Sequence, residues 1–332
     1  MRKILIAMAI LVAGCAASSA SAATLTAHRV TAGGDPLGTP GASTFAYVAA
    51  ANGAHTSAVL RDDDGRSRTI MAPAGCGITT TGGGLMAGRC GEPRWLPGPG
   101  GTVATPAFVA AIDGSSVTRF DMLGQGDAGY GSTPSGPIAV GTRWVTESTF
   151  AYHGGDHVEA FDWHAGTVVP SHDDQATAYD DLDAPSGTAT LCAPLRRVWF
   201  PGEDMGQPAG YLPVTVSGRY ALVQTSSADQ DTLVTYRLGR CGSSKPVALP
   251  KGFAPFALGH GWVAGTTKVA HRSPRVDVVR LSTGRRTPVA GVPGEITRTA
   301  RAGTFALTQG RLYVSGLVAG RRPIYTVKLP TR

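Results

Sequence analysis

The clearest copy of a pattern that recurs along the chain is GHGWVAGTTKVAHRSPRVDVVRLSTGRRTPVAG, residues Gly259–Gly291. Short runs of β-branched and apolar residues bounded by Gly, Pro and Ser are typical of strands. The pattern predicts strands at Trp262–Thr266, Arg275–Leu281 and Arg285–Val289. A polar connection follows the first of these strands, and a tight turn at Ser282–Gly284 follows the second.

Two markers of this unit recur with nearly the same spacing. Turn glycines that follow an apolar run lie 77, 43 and 49 residues apart, at Gly141, Gly218, Gly261 and Gly310. The apolar centres of the strands that follow lie 76, 42 and 48 residues apart, at Val158, Val234, Val276 and Ile324. Weaker copies are expected at Gly41 with Val59, at Gly101 with Val117, and near Gly187–Phe200.

The length of the unit points to a particular all-β architecture. From Val59 to Ile324 there are six intervals of about 44 residues, which is within the range of a four-stranded propeller blade. We therefore predict a β-propeller of seven blades, each a four-stranded antiparallel sheet, with six blades as the alternative. A large β-sandwich would also be rich in short strands, but it does not require a phased repeat. The strand at Ala23–Val30 is expected to join the last blade and close the ring.

Over about residues 41–330, this layout of repeats resembles that of secreted bacterial β-propeller repeat proteins. The resemblance implies the same fold, and it is one of repeat layout alone. The chain has no Trp-Asp dipeptide of the WD type and no Pro-x-Trp-Ser-Pro-Asp-Gly string of the TolB type.

The first 22 residues have the character of a signal peptide. Two basic residues precede the apolar run Ile4–Val12, and small residues follow it. This run is too short to span a bilayer, which takes about 20 residues. A lipobox-like sequence would place the cleavage before Cys15 and make that residue a lipid anchor, whereas Ala20-Ser21-Ala22 would release a soluble chain. The rest of the chain, residues 23–332, is expected to be a single propeller domain.

The cysteines fit an exported protein. Apart from Cys15, four remain, and an even number in an exported chain favours two disulfides. The expected pairs are Cys76–Cys90, which are close in sequence, and Cys192–Cys241, which would join neighbouring blades. The other two ways of pairing these four cysteines remain open.

Sequences that carry known chemistry are missing: the chain has no G-x-S-x-G, H-E-x-x-H or P-loop sequence. No catalytic residue and no cofactor are predicted. His153 and His157 flank a predicted hairpin and form a weak candidate for Zn²⁺ or Cu²⁺, with surface histidines as the alternative. The acids between Asp173 and Asp183 would suit Ca²⁺, with a solvated acidic loop as the alternative.

Charge divides the chain into two parts. The net charge is +7, but residues 237–332 carry 17 basic and two acidic groups. A basic field of this size attracts polyanions, although exposed arginines also serve solubility. The candidate binding residues are the arginines in the turns and strands of the last two repeats: Arg272, Arg275, Arg285, Arg286, Arg321 and Arg322.

Three functions are compatible with these features. The first is an exported, non-catalytic propeller that binds an envelope protein or an anionic surface polymer. The second is a propeller-based lyase or hydrolase with its site at the mouth of the channel. The third is self-association through the acidic and basic sectors, and the sequence leaves the oligomeric state unknown. Nucleic acid is not an expected partner, because aromatic side chains do not alternate with the arginines. Membrane contact is expected only through a lipid on Cys15.

Overall fold

A computed structural model of the chain describes residues 24–49, 55–97, 102–169 and 211–330, with short breaks at 125, 128–129, 132–136, 141–143, 152–154, 165–166, 218–219, 228–229, 239–243 and 301–303. The described residues form β-strands almost throughout, with one short helix. By hydrogen bonding the described strands form sheets of eight, nine, four and four strands and one two-stranded ladder. The two large sheets each contain two four-stranded antiparallel units that are joined by a parallel strand pair, and one of these units carries a short added strand. We number the six antiparallel units I to VI along the chain and call them sheets.

The described chain begins with β1 (Leu25–Thr31), whose partner strand comes from the far end of the sequence. Sheet I contains β2 (Asp35–Gly41), β3 (Thr44–Val48), β4 (Ser57–Asp62) and β5 (Ser67–Met71). Sheet II contains β6 (Gly77–Gly82), β7 (Leu85–Arg89), the short β8 (Arg94–Leu96), β9 (Thr102–Ala111) and β10 (Val117–Gly124).

A small ladder and two further sheets follow. The ladder consists of β11 (Gly126–Asp127) and β12 (Tyr130–Gly131). Sheet III contains β13 (Pro137–Val140), β14 (Trp144–Ala151), β15 (Gly155–Asp162) and β16 (Thr167–Val169). Sheet IV contains β17 (Tyr211–Ser217), β18 (Tyr220–Ser227), β19 (Gln230–Leu238) and β20 (Ser244–Pro246).

The last two sheets are separated by the helix. Sheet V contains β21 (Phe253–Gly259), β22 (Trp262–Thr267), β23 (Arg275–Arg280) and β24 (Arg286–Ala290). The helix α1 (Gly294–Arg298) leads into sheet VI, which contains β25 (Phe305–Leu307), β26 (Arg311–Ser315) and β27 (Ile324–Lys328). The strands predicted in Gly259–Gly291 are thus confirmed to within a residue or two.

Sheet VI is completed by the other end of the chain. Strand β1 pairs antiparallel with β27, with Ala27 opposite Val327 and Arg29 opposite Tyr325. This pairing confirms the prediction that the strand at Ala23–Val30 joins the last blade. It also brings sheet I, which follows β1 directly, against sheet VI.

The first strands of the six sheets lie side by side. In spatial order they are β13, β6, β2, β25, β21 and β17, each in contact with the next. Within this series β2 and β6 are also paired in parallel, with Gly38 opposite Thr81. Sheets whose first strands gather about one axis, with the later strands further out, form a β-propeller. The fold class predicted from the repeat is therefore confirmed in its coarse form.

Apolar clusters lie between consecutive sheets, so that each cluster draws on two of them. One joins sheets I and II through Leu60, Ile78 and Phe108, and another joins sheets V and VI through Val278 and Val314. The central strands β22 and β23 are almost entirely buried. Because a blade is covered on both faces, its strands need not alternate between apolar and polar residues.

Five of the apolar strand centres predicted from the repeat lie in the third strand of a sheet. Val59, Val158, Val234, Val276 and Ile324 lie in β4, β15, β19, β23 and β27. The copy placed at Gly101 with Val117 is wrong, because Val117 begins the fourth strand of sheet II. The corresponding turn there is Gly83-Gly84, between β6 and β7. The short strand β8 lengthens the connection between β7 and β9. The spacing of the repeat therefore pointed to Val117 in the fourth strand, β10, and not to the third strand, β9.

A β-bulge marks the first strand of sheets I to V. The register between first and second strands shifts near Pro36, Ile78, Pro137, Pro213 and Pro255. In sheet V a Cβ on Gly265 would lie 1.9 Å from the carbonyl oxygen of Ala254, so only glycine fits opposite this bulge. Proline is tolerated because the first strand is the inner edge of its sheet and the bulge leaves a residue unpaired.

The antiparallel strands give the molecule two distinct ends. At the end that we call the turn face, first strands turn into second strands and third strands into fourth. The two-residue turn His260-Gly261, with φ of 49° and 81°, is an example. At the opposite end, the loop face, second strands connect to third strands and one sheet connects to the next. Residues 72–76, 268–274, 291–300 and 316–323 lie there.

Asp63, in the turn between β4 and β5, ties sheet I to sheet VI. Its carboxylate accepts hydrogen bonds from the Thr308 hydroxyl at 2.6 Å and from the Gly310 backbone N–H at 2.9 Å. Beside it Phe45 stacks on Tyr313, with ring centroids 4.1 Å apart. Burial, together with the nearby Asp63 carboxylate, raises the pKa of Tyr313 to about 12, so that its hydroxyl remains protonated.

Replacing Asp63 by Ala is expected to lower the free energy of unfolding by about 2–3 kcal/mol, because two hydrogen bonds to a carboxylate are lost between the sheets. Asp64→Ala in the same turn is the matched control. Its ion pair with Arg66 is exposed, so its loss is expected to change stability by less than about 1 kcal/mol. Denaturant titration measures both, and equal values for the two variants would contradict the interpretation.

Candidate binding surface

The six arginines proposed from the sequence do not form one patch. Arg272 and Arg275 lie at the loop face of sheet V, and Arg321 and Arg322 lie at the loop face of sheet VI. The pair Arg285-Arg286 lies at the turn between β23 and β24, at the opposite end of the molecule. Arg285-Arg286 and Arg321-Arg322 therefore lie at opposite ends of their sheets, because the first pair precedes a fourth strand and the second a third strand.

Two of these arginines pair with a buried acid, Asp277 in the middle of β23. Its side chain is 0% exposed and accepts hydrogen bonds from the Thr267 hydroxyl and from Arg275 Nε at 2.9 Å. Arg286 Nε lies 3.7 Å from the same carboxylate. A carboxylate is removed from water only where such partners surround it. Arg275 and Arg286 therefore neutralise a buried carboxylate within sheet V and are only partly exposed at its surface.

Arg322 also forms an ion pair, in this case with Asp35. Its Nη1 lies 2.6 Å from Oδ1 of Asp35 at the start of β2, and its carbonyl accepts a hydrogen bond from Gly34 N–H at 2.8 Å. Both contacts join the last sheet to the first. Arg322 thus belongs to the closure of the propeller.

Arg272 and Arg321 are exposed at the loop face, and neither has an acidic partner within the part of the chain that the structure describes. The helix α1 adds a third arginine, Arg298, whose Nη1 lies 3.4 Å from the hydroxyl oxygen of Ser273, beside Arg272. We call Arg272, Arg298 and Arg321 the loop-face arginines. One exposed acid, Glu295, lies on the same helix.

The helix is held between the connections that carry these arginines. Ile296 is fully buried, and Gly316 lies so close to it that a Cβ there would be 2.9 Å from Ile296 Cγ2. Ser273 approaches Gly294 to a similar degree on the other side. Because α1 touches both connections, Arg298 lies between those that carry Arg272 and Arg321. Arg298 does not stand out in the sequence, since a helix of five residues is too short to show helical periodicity.

The loop face also carries exposed apolar side chains. Among the described residues, the large hydrophobic side chains that are mostly exposed are Trp95 at 63%, Met71 at 61%, Leu317 at 53% and Val117 at 50%. Met71 ends β5, Trp95 lies in β8, and Leu317 follows β26, so all three are at the loop face of consecutive sheets. Val117 begins β10 and lies at the turn face.

Trp95 stands on an extension of sheet II. Strand β8 pairs with the first part of β9, which places Trp95 opposite Val103. Arg94 next to it is bound to Asp121 of β10 at 2.6 Å. The disulfide Cys76–Cys90, one of the two predicted, ties the start of β6 to the end of β7 at the base of this extension. The signal in the sequence was a tryptophan within the Pro- and Gly-rich segment PRWLPGPG.

Of the remaining candidates, His157 lies in β15 opposite Thr149. His153, Cys15, the acids between Asp173 and Asp183, and the predicted pair Cys192–Cys241 lie outside the described residues. The described residues hold no group of three or more His, Cys, Asp or Glu placed to bind a metal ion. They also include no helix long and apolar enough to cross a membrane.

No protein-family model matches the chain, and no curated protein matches it in sequence. Similar solved structures include the β-propeller domain of the Trilobed protease from Pyrococcus furiosus, with 12% identity and a TM-score of 0.39 over 91% of this chain and 86% of that one. Oligogalacturonate lyase in complex with manganese has 11% identity and a TM-score of 0.41, over 90% and 78%. TolB from Acinetobacter baumannii has 12% identity and a TM-score of 0.35, over 89% and 63%. At these values the likenesses carry no argument about activity, and the propeller arrangement rests on the strand contacts of this chain.

Removing the Asp277 carboxylate tests its pairing with the arginines. Asp277→Ala is expected to lower the free energy of unfolding by about 2–3 kcal/mol, because the hydroxyl of Thr267 and the two guanidinium groups lose their acceptor. The loss should stay below that of a fully buried ion pair, since Arg275 and Arg286 can turn to water. Thermal and denaturant unfolding measure the change, with Asp113→Ala in an exposed turn as the control. A variant as stable as that control would contradict the assignment.

Proposed function

We propose that the protein is an exported, non-catalytic β-propeller that binds a negatively charged partner on its loop face. The observation that carries this proposal is the position of Arg272, Arg298 and Arg321 around α1. Each is exposed, and none is neutralised by an acid in the described part of the chain. Fold alone does not define function, so the proposal rests on this surface.

The pairing of the other arginines supports this choice of face. Arg275, Arg286 and Arg322 are bound to Asp277 or Asp35, and Arg280 lies over the ring of Trp262 at 5.4 Å. Counting charges along residues 237–332 therefore overstates the free positive charge of this segment. The loop-face arginines still provide a smaller, localised positive charge. Such a charge can steer an acidic partner toward one end of the molecule.

We further propose seven blades in one domain that spans residues 23–332. Sheets I to VI supply six four-stranded units, and residues 170–210, between β16 and β17, are about one repeat in length. Among the described strands, β13 and β17 stand at the two ends of the contact series of first strands, and a seventh unit would belong between them. A crystal structure in which β13 and β17 are direct neighbours would reject seven blades in favour of six.

Export is supported by the composition of the first 22 residues and by the disulfide Cys76–Cys90. The basic and apolar start suits a signal peptide, and the disulfide Cys76–Cys90 suits an oxidising compartment. Cleavage before Cys15 or before Ala23 would in either case preserve β1, which begins at Leu25. The mass of the exported N-terminal peptide distinguishes a lipidated Cys15 from a free Ala23, and an uncleaved Met1 would reject both.

The experiment is charge reversal at the loop face. Arg272→Glu with Arg321→Glu is expected to weaken binding to poly-L-glutamate by about tenfold or more at low salt, because two attractive charges become repulsive. The effect should shrink toward physiological salt, where the screening length is about 8 Å.

Arg68→Glu with Arg285→Glu is the matched control, since these exposed arginines lie at the turn face and change the net charge by the same amount. This control should keep most of the affinity. If both double variants lose the same affinity, binding follows net charge alone and the loop face has no special role.

A further inference from the structure

We propose that the partner at the loop face is a protein whose surface presents both acidic and apolar side chains. This inference rests on the proposed function and names the class of partner. It is carried by the exposed side chains of Leu317, Met71 and Trp95, which lie at the loop face of sheets VI, I and II. The loop-face arginines lie at the same end of sheets V and VI.

These apolar side chains are exposed, whereas most other large apolar side chains among the described residues are at least partly buried. The apolar clusters between sheets I and II and between V and VI are nearly closed to water, with Ile78 and Leu312 at 0% exposure. Against that background, Met71, Trp95 and Leu317 are more than half exposed. These three residues lie at the same end of adjacent sheets as the loop-face arginines, so this end of the molecule carries both apolar and positive side chains.

The residue types favour a protein over a sugar or phosphate polymer. Trp, Met and Arg are enriched in protein–protein interfaces, and Trp and Arg carry much of the binding energy there. An anionic polymer would use the arginines, but it offers little to the aliphatic side chains of Met71 and Leu317. A protein with acidic and apolar side chains complements both parts of the surface.

The backbone that carries these apolar side chains is held in place before binding. Trp95 lies on a strand that is paired with β9, and the disulfide Cys76–Cys90 ties down the base of the same extension. Leu317 precedes a tight turn in which the backbone N–H and carbonyl groups of Val318 and Arg321 bond to each other, at 2.7 and 3.0 Å. Met71 is held by the pairing of β5 with β4, where it lies opposite Ser57. The backbone at these three positions therefore needs little ordering when a partner binds.

The test compares three soluble probes by fluorescence or calorimetric titration of the full exported chain. They are poly-L-glutamate, a random copolymer of glutamate and tyrosine, and dextran sulfate. The copolymer is expected to bind about tenfold more tightly than poly-L-glutamate at equal glutamate concentration, because it adds apolar contacts to the same charge. Trp95→Ala is expected to remove most of that advantage and to leave poly-L-glutamate unchanged.

Two further variants keep the test independent of folding. Trp95→Phe retains an aromatic ring and should keep most of the advantage of the copolymer. Val117→Ala truncates an apolar side chain of similar exposure at the turn face of the same sheet, and it should have no effect on any probe.

The outcomes separate the inference from the function on which it rests. If dextran sulfate binds as tightly as the copolymer and Trp95→Ala weakens neither, the loop face recognises charge alone and the partner is a polymer. The inference then fails while the proposed function stands. If the parent chain binds none of the three probes, both fail.

Discussion

The pairing of β1 with β27 is the contact on which the rest of the molecule depends. A propeller made of sheets that touch only their neighbours has two free ends unless the chain returns to its start. Here residues 25–31 supply the outer strand of the sheet that ends near residue 328. Sheet I is thereby placed against sheet VI, where Asp63 binds Thr308 and Gly310, and Phe45 stacks on Tyr313. The ion pair of Arg322 with Asp35 closes the same junction at the loop face.

The closure also determines which residues share a surface. Once sheets V, VI, I and II follow one another around the axis, their connections between second and third strands lie at one end. That end collects Arg272, Arg321, Leu317 and Trp95, which are far apart in sequence. The helix α1 adds Arg298 because Ile296 is buried beside Gly316. A binding surface can arise in this way without any local motif, which explains why the sequence contains no signature for it.

The sequence predicted the fold better than the site. Strand centres such as Val276 and Ile324 stood out because apolar runs and turn glycines are local features, and the structure places both in third strands. The assignment at Val117 failed because β8 adds a strand that the repeat does not contain. A further marker of first strands in the sequence is the proline at each of four bulges, Pro36, Pro137, Pro213 and Pro255.

The sequence does not show which arginines are paired with acids and which are free to bind a partner, because these pairs are determined by the tertiary structure. Arg322 and Asp35 are 287 positions apart, and only the return of the chain brings them together. Asp277 is two residues from Arg275, but its burial and its contact with Arg286 follow from the packing of β23 between its neighbours. Net charge along the chain is therefore a poor guide to free charge on the surface.

The central claim is that the N-terminal strand joins the last sheet to the first, and its most direct test is complementation of a chain that begins at Gly34. Without β1 this chain is expected to be less stable than the parent by about 3 kcal/mol or more, since a buried edge of β27 is exposed to water. A synthetic peptide with the sequence of residues 23–33 should bind it and restore the lost stability, whereas the same peptide with proline at Ala27 and Arg29 should not. A chain that is equally stable without β1, or one that ignores the peptide, would contradict the account.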